Sequence, residues 1–437
     1  MPKTYSIAVG TYDGVLAGWN YVDDSLRLLF ATPVHGGSLR SLARTGATLL
    51  SCGYDEILQT HDWNKQVTSS GQVRTPADFG TPVCSAFCAT THCLVGFAGG
   101  KMVIYKKRDW SVQHVLGGHE GGVASIAAHP SGSLALSAGV SDGKLKLWDL
   151  TKGRLAYVNK IHPAHTNIQG RTHYDPVVSL VWSPSGDRYG FAYGSHITVR
   201  DVDTGKDLLD VELPCRVNQI CFLEDGAYVA AAGNDGSLPV LAVDGETDEE
   251  RPAILAIEPV EGPVAGEERY KCIQSVEGTI LATANSAGVV SLMDLKGAIH
   301  MIQSPSEETP VHPSSDEDDE DDGDEDSMDS ENDDEKELAV EILDSVVLGS
   351  GARITCMVAA AIETEKKEEA TPEPTSKPVV EEDESEEPQP ADDPSRKRGR
   401  DDHKIAMDPE AVAKARALVA EAKVIQENRR KKKKKKH

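Results

Sequence analysis

One hairpin signal recurs along this chain with a period in the low forties, and repetition at that length constrains the fold more than any other feature. The sharpest copy runs from Gly118-His119-Glu120 through Val123–Gly132 and Leu134–Gly139 to Asp142-Gly143 and Lys144–Asp149. It reads as three short strands divided by a Pro-Ser-Gly turn and an Asp-Gly turn, the second being a strong hairpin signal. Trp148 lies six residues after Asp142. The same offset links Asp13 to Trp19, Asp55 to His61, Gly99 to Tyr105, Gly194 to Arg200, Asp235 to Leu241 and Ala287 to Met293. A turn glycine precedes most of these anchors, at Gly46, Gly132, Gly186, Gly226 and Gly278. Seven strand–turn–strand–turn–strand units imply an all-β, seven-bladed β-propeller over residues 1–363. A β-sandwich has no reason to keep such a period.

The two ends of the repeat predict how the ring closes. The first unit begins at Ile7-Ala8-Val9-Gly10 and lacks an innermost strand. Residues 352–360 have the pattern of that missing strand, and residues 339–347 fit an outer strand for the seventh unit. A late strand would then complete the first blade and leave no open edge. It follows that residues 304–337 interrupt blade seven between its third and fourth strands, which is tolerable because loop-closure entropy grows slowly with length.

Gly118-His119, the Asp142 turn and Trp148-Asp149 match the WD-repeat signature. The opening Val9-Gly10-Thr11-Tyr12-Asp13-Gly14 and the block from Gly118 to Arg154 resemble the p21-activated-kinase-interacting WD proteins and their fungal maintenance-of-killer relatives. The resemblance covers about residues 5–361. It is weak in blades three, five and seven, where the Trp-Asp pair is degraded. It implies that His119, Ser137, Asp142 and Trp148 form a buried hydrogen-bond chain pinning blade four, with no catalytic role. An extra residue between Ser137 and Asp142 leaves the hydroxyl member of that chain open. The resemblance also implies a nucleolar factor in assembly of the large ribosomal subunit.

No enzyme motif is found. Gly117–Gly122 is glycine-rich but lacks the lysine and Ser/Thr of a phosphate loop. HExxH, GxSxG and kinase signatures are absent. No cofactor is expected. His162, His165 and His173 fall in a long loop that reads more plainly as a partner contact than as a metal site. The eight cysteines form no Cys-x-x-Cys pair, so buried thiols in a reducing compartment are expected. The N-terminus carries no apolar stretch of the kind a secretory signal needs. No run is long and apolar enough to span a membrane, so no membrane partner is expected.

The formal charge of −26 is unevenly placed. From Asp316 to Glu335, 15 of 20 residues are Asp or Glu. Such a segment cannot bury enough surface to fold, so the insertion at 304–337 is expected to be disordered. It would be either a solvated spacer or a decoy for a basic partner. Residues 364–407 read as a Pro/Glu/Ser-rich linker ending in the basic cluster Arg396, Lys397, Arg398 and Arg400. Over 408–437, Asp408 caps a helix with Pro409 in its first turn. Val412, Leu418, Val419 and Ile425 share one face of it, suited to a partner. The helix runs into Arg429, Arg430, Lys431, Lys432, Lys433, Lys434, Lys435 and Lys436. These two basic clusters suit nuclear or nucleolar targeting and sequence-independent contact with RNA phosphates. No aromatics interleave the lysines, so base stacking by the tail is not implied.

The sequence therefore leads to a non-enzymatic scaffold, a monomer within a larger assembly. It would dock large-subunit assembly factors and ribosomal proteins and touch pre-rRNA through its tail. The alternatives are a regulator docked on a p21-activated kinase and an acidic-loop chaperone for one basic ribosomal protein.

Overall fold

The structure, a computed structural model, describes residues 4–66, 69–161, 165–166, 172–173, 175–243, 254–257, 269–303, 340–349 and 351–362. Seven four-stranded antiparallel sheets are arranged as blades of a propeller, together with one short two-stranded ribbon. The seven innermost strands, each touching the next, are Ile354–Ala361 in blade one, Leu39–Thr45 in two, Pro82–Cys88 in three and Val123–Ala128 in four, then Val177–Trp182, Val217–Leu223 and Tyr270–Glu277 in five to seven.

Blade four shows why the repeat folds as it does. Val123–Ala128, Leu134–Gly139, Lys144–Asp149 and Arg154–Lys160 pair in that order. The second strand is buried throughout, whereas the fourth is mostly exposed. Burial is complete in the second strand, partial in the first and third and least in the outermost, which can alternate with polar residues. The tight turn into the third strand places Gly143 at φ 58°, where a side chain would be strained. Asp142 supports that turn by accepting the amide of Lys144 at 3.1 Å.

Closure occurs as the sequence implied. Ile354–Ala361 lies against Tyr5–Thr11 in the first sheet, with Ile7 opposite Ala359. Glu341–Val347 is the outer strand of blade seven, opposite Val289–Asp294. Unforeseen was a helix, Lys296–Gln303, directly after that third strand. Asp294 accepts the amide of Lys296 at 3.0 Å, and Ala298 and Ile299 are buried between blades six and seven. Two apolar residues on one short turn are too faint a periodicity to read without their neighbours. The expected insertion at 304–337, the linker and the tail lie outside the described residues.

Seven apolar clusters fill the seven gaps between adjacent blades. The cluster between blades seven and one joins Ile7, Val9 and Ala359 to Ala282, Ala284 and Leu292. A lone sheet would leave this surface in water, so each blade depends on both neighbours. The ring has two faces. The entry face carries the starts of the inner strands and the turns between second and third strands. The exit face carries the ends of the inner strands.

Candidate functional site

The network in blade four lies on the entry face. Gly118 leads into it, because a Cβ there would overlap the carbonyl of Gly100 in blade three. His119 then turns inward. Its Nδ1–H donates to Asp142 Oδ2 at 2.8 Å, and its Nε2 accepts the hydroxyl of Ser137 at 2.7 Å. Ser137 Oγ in turn accepts the indole N–H of Trp148 at 2.8 Å. The structure thus brings all four residues together and assigns the hydroxyl position to Ser137. The additional residue is absorbed in the turn, where Val140 is exposed.

The connectivity Asp–His–Ser is that of a hydrolytic triad, yet the arrangement cannot act as one. Ser137 is 0% exposed, and its oxygen is already committed to Trp148. An acyl group could not reach so enclosed a hydroxyl. What the chain does is tie two strands, the turn between them and the preceding loop together with every donor matched. Burial alone would raise the Asp142 carboxyl. The bond from His119, the Lys144 amide and the Lys146 charge outweigh it, so this carboxyl sits below the usual range and stays ionised.

Blade two holds a second network that the sequence did not disclose. His35 Nδ1 meets Asp55 at 3.0 Å, and its Nε2 meets Ser51 Oγ at 2.8 Å. The far side of Ser51 is taken by His61 Nε2, also at 2.8 Å, in the position Trp148 holds in blade four. Burial, with His35 nearby, pushes the His61 imidazole down to about 4, so it is neutral at physiological pH. The available signal was the pair Asp55 and His61 at the same six-residue offset. It was unreadable as a network because histidine replaces tryptophan and no glycine precedes His35.

The exit face has a different character. A cleft of about 560 Å³ at blades five to seven is lined by Trp182, Phe222, Glu224, Asp225 and Glu277, among others. A second, between blades seven and one, is lined by Tyr5, Tyr21, Asp23, Asp24 and Asp294. The Tyr5 phenol donates to Glu277 at 3.3 Å. Burial and the negative charge of Glu277 push Tyr5 up to about 12.

His165 and His173 pair backbone to backbone in the small two-stranded ribbon. Among the described residues no group of His, Cys, Asp and Glu could hold a metal ion. No described helix is long and apolar enough to cross a membrane. Of the basic cluster Arg396, Lys397, Arg398 and Arg400, the helix face Val412, Leu418, Val419 and Ile425, and the run Arg429–Lys436, all lie outside the described residues.

Comparison with known proteins agrees with this architecture. The WD domain, G-beta repeat family matches residues 110–149, which span the outer strand of blade three and most of blade four. A Xenopus laevis protein named p21-activated protein kinase-interacting protein 1-like is 29% identical over 239 residues, 54% of this chain and 61% of the relative. The Gallus gallus protein of the same name is 26% identical over 300 residues, 66% of this chain and 72% of that protein. The Shk1 kinase-binding protein 15 of Schizosaccharomyces pombe is 34% identical over 154 residues, 33% of this chain and 43% of its own length. The chain is a WD-repeat propeller related to these interaction proteins, as the resemblance implied.

Proposed function

We propose that this chain is a non-catalytic docking scaffold in nucleolar assembly of the large ribosomal subunit. The observation that carries this reading is its charge arrangement. An acidic run of 15 carboxylates in 20 residues is tethered to blade seven, and a polybasic tail follows blade one. A closed ring supplies a rigid platform for both. The acidic clefts of the exit face, with Glu224, Asp225 and Glu277 in one and Asp23, Asp24 and Asp294 in the other, suit basic ribosomal proteins. The tail would contact pre-rRNA phosphates without sequence preference and carry the nuclear address through Arg396–Arg400 and Arg429–Lys436.

A sucrose gradient run at low salt tests this. Sedimentation with large-subunit precursors is expected, and sedimentation near the monomer position would overturn the reading. Imaging a chain lacking 396–437 tests localisation, with loss of nucleolar enrichment expected. Undiminished enrichment would refute the address role.

A second reading is favoured by the relatives' names, three of which specify kinase interaction. On it, the ring docks on a p21-activated kinase and regulates it. Recovery of a stoichiometric kinase complex free of RNA would select this reading over the first.

A further inference from the structure

Six blades share one hydrogen bond on the entry face. An amide in the turn between second and third strands donates to the carbonyl of the residue just before, or opening, the inner strand. The bonds of blades one, six and seven are Tyr12 to Arg353 at 2.8 Å, Asn234 to Arg216 at 2.8 Å and Ser286 to Arg269 at 2.9 Å. In blades two, three and four the accepting residues are Ser38, Thr81 and Gly122. The equivalent position is therefore arginine on three consecutive blades and small elsewhere.

A second equivalence reinforces the first. Every inner strand carries a β-bulge near its start, at the channel mouth. A bulge re-aims its side chain and ends regular pairing. The bulged residue is Lys271 in blade seven and Arg40 in blade two, and it is uncharged in the other five. Arg40, Arg216, Arg269 and Arg353 are exposed. None of the ion pairs among the described residues involves these five cations. The same turns also carry carboxylates: Asp55 is taken up by His35, Asp235 accepts the Ser237 hydroxyl while remaining exposed, and Asp13 and Glu56 are exposed.

The exposed aromatics stand beside this arc. Tyr12 is 58% exposed and Tyr54 65%, and no other described aromatic ranks among the exposed large hydrophobic residues. They occupy matching turns of blades one and two. Tyr12 is bonded to Arg353, and Tyr54 to Ser38, two residues before Arg40. Cations following a curved rim with free aromatic faces next to them suit a phosphate backbone with unpaired bases. Arginine, with its planar fork, suits phosphate particularly well. An acidic peptide would use the cations but leave the tyrosines idle.

We propose that the entry-face rim over blades six, seven, one and two binds single-stranded nucleic acid, with Arg216, Arg269, Lys271, Arg353 and Arg40 on phosphates and Tyr12 and Tyr54 stacked on bases. This site is separate from the tail and stands whether or not the ribosomal reading does.

The test uses the full-length chain with Arg396, Lys397, Arg398, Arg400 and Arg429–Lys436 all changed to Gln, so that the two basic clusters of the tail contribute little. Labelled oligouridylate and oligothymidylate are titrated by fluorescence anisotropy, and the two arms separate RNA from DNA as the natural source. Tyr12→Ala with Tyr54→Ala is expected to weaken binding by about tenfold per tyrosine. Arg216→Ala, Arg269→Ala and Arg353→Ala together are expected to flatten the plot of log affinity against log salt by about 2. Thermal melts should match the parent, since these side chains are exposed. Photocrosslinking of 4-thiouridine RNA should label Tyr12 or Tyr54. Binding unchanged in both variants would overturn the proposal. So would displacement of the oligonucleotide by a polyglutamate peptide of equal charge, which would point to an acidic protein instead.

Discussion

Ser6 donates its hydroxyl to the carbonyl of Ala360 at 3.0 Å, joining residues 354 positions apart. Beside it, the Ile362 amide meets the Thr4 carbonyl at 2.8 Å. These bonds fasten a strand from the far end of the repeat region to the strand that opens it. Stability of the ring therefore depends on a contact with the longest possible loop.

Removing that strand exposes the edge of Tyr5–Thr11 and the apolar surface around Ile7 and Val9. A chain ending at residue 350 is expected to lose cooperative unfolding and to associate through the open edge. Size-exclusion chromatography and calorimetry check this, and a monomer with one sharp transition would refute it.

Ser137→Ala removes the donor to His119 and the acceptor for Trp148, leaving two buried groups unmatched. A loss of about 1–3 kcal/mol is expected in chemical denaturation. Double-mutant cycles between His119 and Trp148 should show coupling, because both act through the same hydroxyl.

Gly118→Ala drives a methyl into the Gly100 carbonyl, backbone against backbone, between blades three and four. A cost of about 2–4 kcal/mol is expected, since neither segment can rotate aside. Gly46→Ala has open space at the same atom, although its φ of 56° still carries strain. It should cost less in the same thermal melt.

Acid should destabilise the ring through His61. Its folded value is depressed to about 4 from 6.5, so the unfolded chain binds more protons between those values. The contribution is complete above about pH 6.5 and is lost as pH falls toward 4, by up to about 3 kcal/mol. His61→Phe should flatten the pH dependence of the denaturation midpoint over that window.

All eight cysteines are free thiols, six of them buried. Burial pushes Cys52, Cys88, Cys221 and Cys356 up to about 12. Burial raises the Cys84 thiol as well, so the native protein should react slowly with an aromatic disulfide reagent until it is unfolded, with the half-buried Cys215 the first to respond. Rapid reaction of all eight without denaturant would contradict this.

Much of the blade architecture could be read because its determinants are local. Asp142-Gly143 specifies a turn wherever it occurs, and Trp148 at a constant offset marks a buried third strand. The blade-four network was legible only through the family resemblance, which left its hydroxyl member open until Ser137 was found between His119 and Trp148. The blade-two network was not, because His61 looks like an ordinary histidine until Ser51 and His35 are seen to meet it. The helix Lys296–Gln303 escaped notice because two buried residues leave almost no pattern.

By itself, then, the sequence determined the number of sheets, their order and the strand that closes them, since turn chemistry and hydrophobic spacing act within a few residues of the chain. Only the tertiary structure decided which side chains share a face. Arg216, Arg269 and Arg353 lie far apart in the chain and carry no common motif. Ring closure and a bulge repeated in every inner strand set them side by side with Arg40 and Lys271 at one rim, because equivalent positions of a cyclic repeat converge in space however far apart they lie along the chain.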